Sequence, residues 1–344
     1  MSLKFPFRSD RGSFLSCGGK APMKRNSLLL ASYALDWLIG DPEWMPHPVR
    51  GMGWTIATGE RNLRKLGSGK RWELASGGLL AASVPLVSAL SARRIIREAY
   101  IHQHSFGLLI EVWFAATCLA TRNLLDEAAQ VMRALDAGDL ALTRRRLSRI
   151  VGRDTESLDE PEICRAVIET LAESLSDGII APLFYLALGG VPAGIAYKAV
   201  NTLDSMIGHR GAKYLWFGRG AARFDDVANW IPARISAMLI CVAGRIVCGP
   251  RSGLRAACVW LRDGSLHISP NAGQVESAMA GALAVRLGGS NCYDGERIES
   301  PVLGKEFYEP HRCVAARALR IVVVASLLGV AAAWLLTGRH RYGK

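Results

Sequence analysis

In one stretch of this 344-residue chain, Arg165, Glu169, Glu173 and Asp177 recur at every fourth position. On a helix of about 3.6 residues per turn such a repeat drifts only about 40° per step, so the four side chains share one face. Three carboxylates on one stripe need cationic company. Solvent and Arg165 can supply it through i,i+4 pairing, and so can a metal ion carrying a phosphate group.

Three further groups offer similar chemistry. In YKAVNTLDSMIGHR (197–210), Asn201 and Asp204 lie three apart, Lys198 sits a turn earlier, and His209 and Arg210 follow Gly208. This places oxygen ligands beside phosphate-binding cations, although a helix end leaving a membrane reads the same way. In FDDVANWIPAR (224–234), Asp225 or Asp226 shares a helical face with Asn229 and could hold a cation with it, or the group is a helix-start signal. Pro232 is expected to end or redirect that helix. In 269–273, SPNAG forms a tight polar turn before Glu276 and an Ala- and Gly-rich helix, whose N-terminus suits an anion. Asp36, Asp41, His47 and Arg50 bracket the Pro- and Gly-rich stretch 40–54, which reads as a fixed turn. The chain carries no G-x-x-x-x-G-K-[ST], G-x-S-x-G or H-E-x-x-H, which removes support for soluble ATPase, hydrolase and zincin readings.

The elements that must position these groups read as membrane helices. Half of the residues are hydrophobic and 21% are charged. Residues 321–338 contain no charge and are flanked by Arg317 and Arg320 before and Arg339 and Arg341 after, a transmembrane pattern. Weaker candidates are 27–40, 74–91, 106–120, 179–197 and 235–249, for about four to six embedded helices in all. The stretch 235–249 separates two polar regions expected to serve one site, so it is expected to be re-entrant, paired with 254–261 as a hairpin, or packed inside the protein. Residues 122–150 read as two amphipathic helices broken at 136–139, and Ser157 to Glu160 as a capping box starting a helix that ends near Asp177-Gly178.

The fold class is therefore all-α and polytopic: a basic disordered extension at 1–25, one membrane domain at 26–338 and a basic tail at 339–344. The net charge of +12 clusters beside apolar segments, which suits lipid headgroups; nucleic acid is not expected as a partner. The eight cysteines are scattered singly and read as buried free thiols.

Taken in order, LDWLIGDPEWMPHPVRGMG, RNLLDEA, VGRDT, ETLAESLSDGIIAPLFY, YKAVNTLDSMIGHR, FDDVANWIPAR and SPNAG with ESAMAGALAVRLGG resemble the membrane-bound adenosylcobinamide-phosphate synthase family over most of 30–305. Ser174 stands where the family pattern has Asn, and Val275 where it has Pro. The resemblance implies a cobalamin-biosynthesis ligase of the bacterial inner membrane, with its site on the cytoplasmic side. Such an enzyme would use ATP and magnesium to join adenosylcobyric acid to aminopropanol or its phosphate, with an acyl phosphate as the expected intermediate. The implied catalytic groups are Glu169, Glu173, Asp177, Asp226 and His47. Magnesium would fall to Glu173, Asp177, Asp204 and Asp225, and nucleotide or substrate contacts to Arg153, Lys198, Asn201, Arg210, Arg234 and Asn271. Other late-pathway membrane enzymes are candidate partners. A magnesium-dependent membrane transferase of prenyl or lipid-phosphate type, and a corrinoid transporter or scaffold, are the competing readings.

Overall fold

The structure, a computed structural model, describes residues 23–41, 47–209, 211, 213–293 and 295–339. Most of the 1–25 extension, most of the 339–344 tail, and Arg210 lie outside these. The helices are α1 (Arg25–Ile39), α2 (Pro48–Leu66), α3 (Lys70–His102), α4 (His104–Ala116), α5 (Thr121–Asp136), α6 (Leu140–Leu147) and α7 (Glu160–Leu175). A π-helical turn (Ser176–Ile180) leads into α8 (Ala181–Gly189), α9 (Val191–Ile207), α10 (Arg219–Ala228), α11 (Trp230–Cys248), α12 (Pro250–Asp263) and α13 (Ala272–Leu283). Strands β1 (Leu287–Tyr293) and β2 (Glu296–Leu303) precede α14 (Arg312–Arg339).

Among the described residues, four segments are long and apolar enough to cross a membrane: α3, the continuous α7–α8 segment Glu160–Gly189, α11 and α14. A fifth arises if α4 and α5, bent by 40°, count as one span. Helix α14 packs on α1, α5, α7, α8 and α11, while α3 packs on α2, α4, α9 and α10. A third group, α11 to α13, closes through small residues: a Cβ on Gly281 would stand 2.7 Å from the Ala256 Cα.

Several boundaries differ from the sequence reading. The acidic helix does not stop at Asp177-Gly178; it runs through the π turn into the apolar run, so charged and apolar halves are one element. The capping box lies two residues later than expected. Asp159 accepts from the Glu162 amide at 3.0 Å, and Glu162 accepts from the Asp159 amide at 2.9 Å. Glu160 instead accepts a two-pronged hydrogen bond from Arg312, each at 2.6 Å, joining the starts of α7 and α14. Residues 48–54 are helical, because Pro48 at the first position of α2 is already set for a helix. The break at 136–139 holds, with Asp139 accepting from the Leu142 amide to cap α6. Of the described cysteines only Cys118 and Cys164 are buried; Cys258, Cys292 and Cys313 lie on outward faces.

The all-α expectation misses one feature, an antiparallel hairpin with Ser290 opposite Glu299 and Cys292 opposite Arg297. Gly288 gives it a bulge that other residues resist: its φ is 77°, and a Cβ there would lie 2.2 Å from the Pro301 carbonyl oxygen. That geometry aims the Gly288 amide at Glu169 Oε1, 2.8 Å away. Arg165 adds hydrogen bonds to the Gly288 and Ser290 carbonyls at 2.6 and 3.0 Å, and Arg153 bridges Glu169 Oε2 and Asn291 Oδ1. The hairpin is thus held to α7 by buried charge. Arg153 and Glu169 side chains are only 10% and 6% exposed.

Two outcomes follow. Glu169→Ala leaves Arg153 buried without its anion and should cost about 3–5 kcal/mol, read as a lower unfolding temperature in detergent with earlier proteolysis within 287–303. Asn271 Nδ2 donates to the Asp226 carbonyl at 2.9 Å, so the polar regions before α11 and after α12 meet at one end of the α11–α12 hairpin. Cysteines introduced as Arg223→Cys and Leu266→Cys should be labelled by an impermeant thiol reagent from the same side of sealed vesicles; labelling from opposite sides would refute this arrangement.

Candidate active site

Helix α7 turns its apolar faces into the core, where Ile163, Val167, Ile168, Leu171, Ala172 and Leu175 are fully buried. The remaining stripe, with Glu169, Thr170, Glu173 and Ser174, forms the wall of a two-lobed cleft. The hairpin-side lobe, about 340 Å³, is also lined by Arg153, His267, Glu276, Asn291, Tyr293 and Ser300. The α9-side lobe, about 440 Å³, adds Asn123, Glu127, Arg149, Asp177, Lys198, Asn201 and Ser205. Ile150, Thr170, Glu173 and Ser174 line both lobes, so Glu173 stands at their junction, densely enclosed by protein yet exposed to the cleft.

The carboxylates divide into two neighbourhoods. Glu173 faces Glu276 of α13 closely enough to share a proton, with Glu169, Arg153 and His267 nearby. Burial first, then the charges of Glu173 and Glu169, pushes the Glu276 carboxyl well above the ordinary range. Past the turn, Asp177 lies among Asp225, Glu173 and Asp204. Burial, reinforced by Asp204, raises Asp225 to about 7, and burial also raises Asp204.

The π turn joins these neighbourhoods. Its wider winding leaves backbone carbonyls open, and outside donors fill them: Tyr197 OH reaches the Asp177 carbonyl at 3.1 Å and the Ala120 amide donates to the Gly178 carbonyl at 3.0 Å. The Tyr197 hydroxyl also lies 2.8 Å from Asn229 Oδ1, while Asn229 Nδ2 donates to Asp225 Oδ2 at 3.0 Å. The Asp225–Asn229 face read from D-D-x-x-N is therefore real and tied to the acidic helix.

Other expected residues go elsewhere. Both oxygens of Glu169 are taken by Arg153 and Gly288, which makes it an anchor and not a free base. Asp226 lies 3.6 Å from Arg223, near enough to Asp225 and Asp204 to act on their charge, and like them lines neither lobe. His47 caps α2 by accepting from the Val49 amide at 3.3 Å, with Nε2 3.0 Å from Asp41, outside both lobes. Arg234 donates to the Trp230 carbonyl at 2.7 Å and stacks on that ring, also outside both lobes. The 269–273 turn is closed on itself, with Ser269 Oγ accepting from the Asn271 and Ala272 amides at 3.3 and 3.2 Å. Its amides are therefore engaged before any anion arrives.

Sequence reasoning did not place Glu276, His267, Asn291 or Tyr293 in the site. Glu276 had a signal: it is a lone carboxylate in a helix otherwise built from small and apolar residues. Asn291 and Tyr293 had none, because they arrive on a hairpin more than a hundred positions from α7.

The acidic groups fit a hard cation such as magnesium. Asp225 Oδ1 and Asn271 Oδ1 are buried oxygens without a hydrogen-bond partner, the donor type that such an ion takes. Among the described residues no three His, Cys, Asp or Glu side chains form a ready metal cage. An ion completed by substrate phosphate and water does not need one.

A family model described as CobD/Cbib protein matches residues 29–322. The chain is 44% identical to a cobalamin biosynthesis protein CobD from Geobacter metallireducens, over 81% of this chain and 86% of that protein. It is 44% identical to CobD from Klebsiella pneumoniae and 43% identical to CbiB from Salmonella typhimurium, each over 87% of this chain and 93% of the relative. No solved structure matches. With the family model covering most of its length and these relatives aligned nearly end to end, the chain belongs to the CobD/CbiB family.

Proposed function

We propose that this protein acts in cobalamin biosynthesis as an ATP-dependent amide synthase, joining the carboxylate of adenosylcobyric acid to 1-amino-2-propanol or its O-phosphate at the cytoplasmic side of the bacterial inner membrane. The names of its relatives support the pathway. The observation that carries the reaction is the cleft itself, whose single acidic wall joins one lobe holding Lys198 to another holding Glu173 and Glu276.

A carboxylate is a poor acyl donor, so its oxygen first attacks the terminal phosphorus of ATP, and ADP departs with the bridging electron pair. The neutral amine nitrogen then attacks the acyl carbon, forming the C–N bond as the C–O bond breaks; phosphate leaves with that electron pair, and the proton shed by nitrogen passes to a cleft carboxylate or to the departing phosphate. Lys198 and Asn201 would hold phosphoryl oxygens, and Ser174, at the junction of the lobes, can donate a hydrogen bond to the acyl oxygen. The hairpin side chains Asn291, Tyr293 and Ser300 wall the reacting centre from bulk water, which matters because an acyl phosphate hydrolyses readily. Magnesium, held by Asp177, Asp204 and Asp225, would screen polyphosphate charge.

The decisive assay combines purified protein, adenosylcobyric acid, ATP, magnesium and either amine, with amide formation followed chromatographically. Wild type should form amide and ADP in equal amounts. Lys198→Met should lower kcat/KM by about a hundredfold; near-normal turnover would remove Lys198 from the phosphate role. Because folding raises the Asp225 pKa, this carboxyl contributes its full stability below about pH 4, the unfolded range, and loses it as pH rises to about 7. Without divalent ions, the unfolding temperature of Asp225→Asn should therefore gain on wild type between pH 4 and pH 7. Magnesium should close that gap by stabilising wild type alone.

A further inference from the structure

We infer that the Glu173–Glu276 carboxylate pair seats the ammonium group of the amine substrate, so that the hairpin-side lobe is the amine lobe and the α9-side lobe takes phosphate. The assignment rests on the ligase reading above and adds which substrate group each lobe recognises.

Glu276 is only 4% exposed and lines the 340 Å³ lobe. No N–H group or hydroxyl of the described residues donates to it or to Glu173; their close polar neighbour is each other. The guanidinium in that lobe is already committed, since Arg153 is spent on Glu169 and Asn291. The facing pair can keep one proton between its carboxylates, and a cation entering the lobe can take that proton's place. The opposite lobe also carries carboxylates, Glu127 and Asp177, but it adds half-buried Lys198, which is in no ion pair among the described residues.

The surroundings favour an organic ammonium over a metal ion. His267 Nδ1 accepts from the Ser269 amide at 3.0 Å and lies 3.4 Å from the Ser269 carbonyl, so that nitrogen is engaged within its own turn. With Asn291, Tyr293 and Ser300, it offers the neutral hydrogen-bonding groups that an alcohol or its ester oxygen needs beside the ammonium. Such a seat also places the nitrogen at the junction of the lobes, where the acyl carbon must arrive.

The test uses the full-length protein in detergent, with 1-amino-2-propanol and 1,2-propanediol as probes differing only in the amine. The amine should raise the unfolding temperature of wild type and the diol should not; equal shifts would overturn the proposal without any variant. In turnover, Glu276→Gln should raise the KM for the amine at least tenfold while the KM values for ATP and magnesium stay within twofold, and Glu276→Asp should recover part of the loss. An unchanged amine KM, or a higher magnesium requirement in its place, would overturn it. Should wild type form no amide at all, the ligase reading fails instead, and the amine-selective shift still decides whether the pair binds an ammonium.

Discussion

The structure turns on one constraint: a helix buried on its apolar faces also carries three carboxylates on its remaining stripe. Carboxylates in such a position need compensation, because water is scarce and an isolated charge there costs several kcal/mol. The fold answers differently at each step along the stripe. Glu169 receives Arg153 and the Gly288 amide, which fixes the hairpin. Glu173 and Asp177 receive no such cation and instead open onto a cleft.

That difference converts a structural stripe into a site. Compensation at Glu169 spends the available guanidinium and closes the cleft with the hairpin. Incomplete compensation beyond it leaves negative potential where a cationic ligand or a metal–phosphate group can enter. The π turn keeps the two regimes on one element, since Tyr197 and Ala120 satisfy its open carbonyls and connect Asp177 to the Asn229–Asp225 pair.

Much of the scaffold was legible in the sequence. The uncharged run at 321–338 became the core of α14, and the amphipathic pattern of 122–150 became α5 and α6, because burial periodicity and charge exclusion are local properties. The hairpin was missed although Asp294-Gly295 is a strong turn dipeptide; its strands, rich in Gly and charge, lack the alternation that marks a half-buried strand. The resemblance implied site roles for His47 and Arg234, yet each makes its polar contacts within a few residues of itself.

By itself the sequence determined the membrane character, the helical class, the family resemblance and the shared face of Glu169, Glu173 and Asp177, all of which follow from spacing along one chain. Only the tertiary structure decided which carboxylates are neutralised and which remain available, because their partners come from distant segments: Arg153 before α7, Gly288 on β1, Glu276 on α13 and Asp225 on α10. Helical spacing sets where a charge points. What meets it there depends on packing between helices, and that is where an anchoring glutamate and a cleft-facing one, four residues apart, part ways.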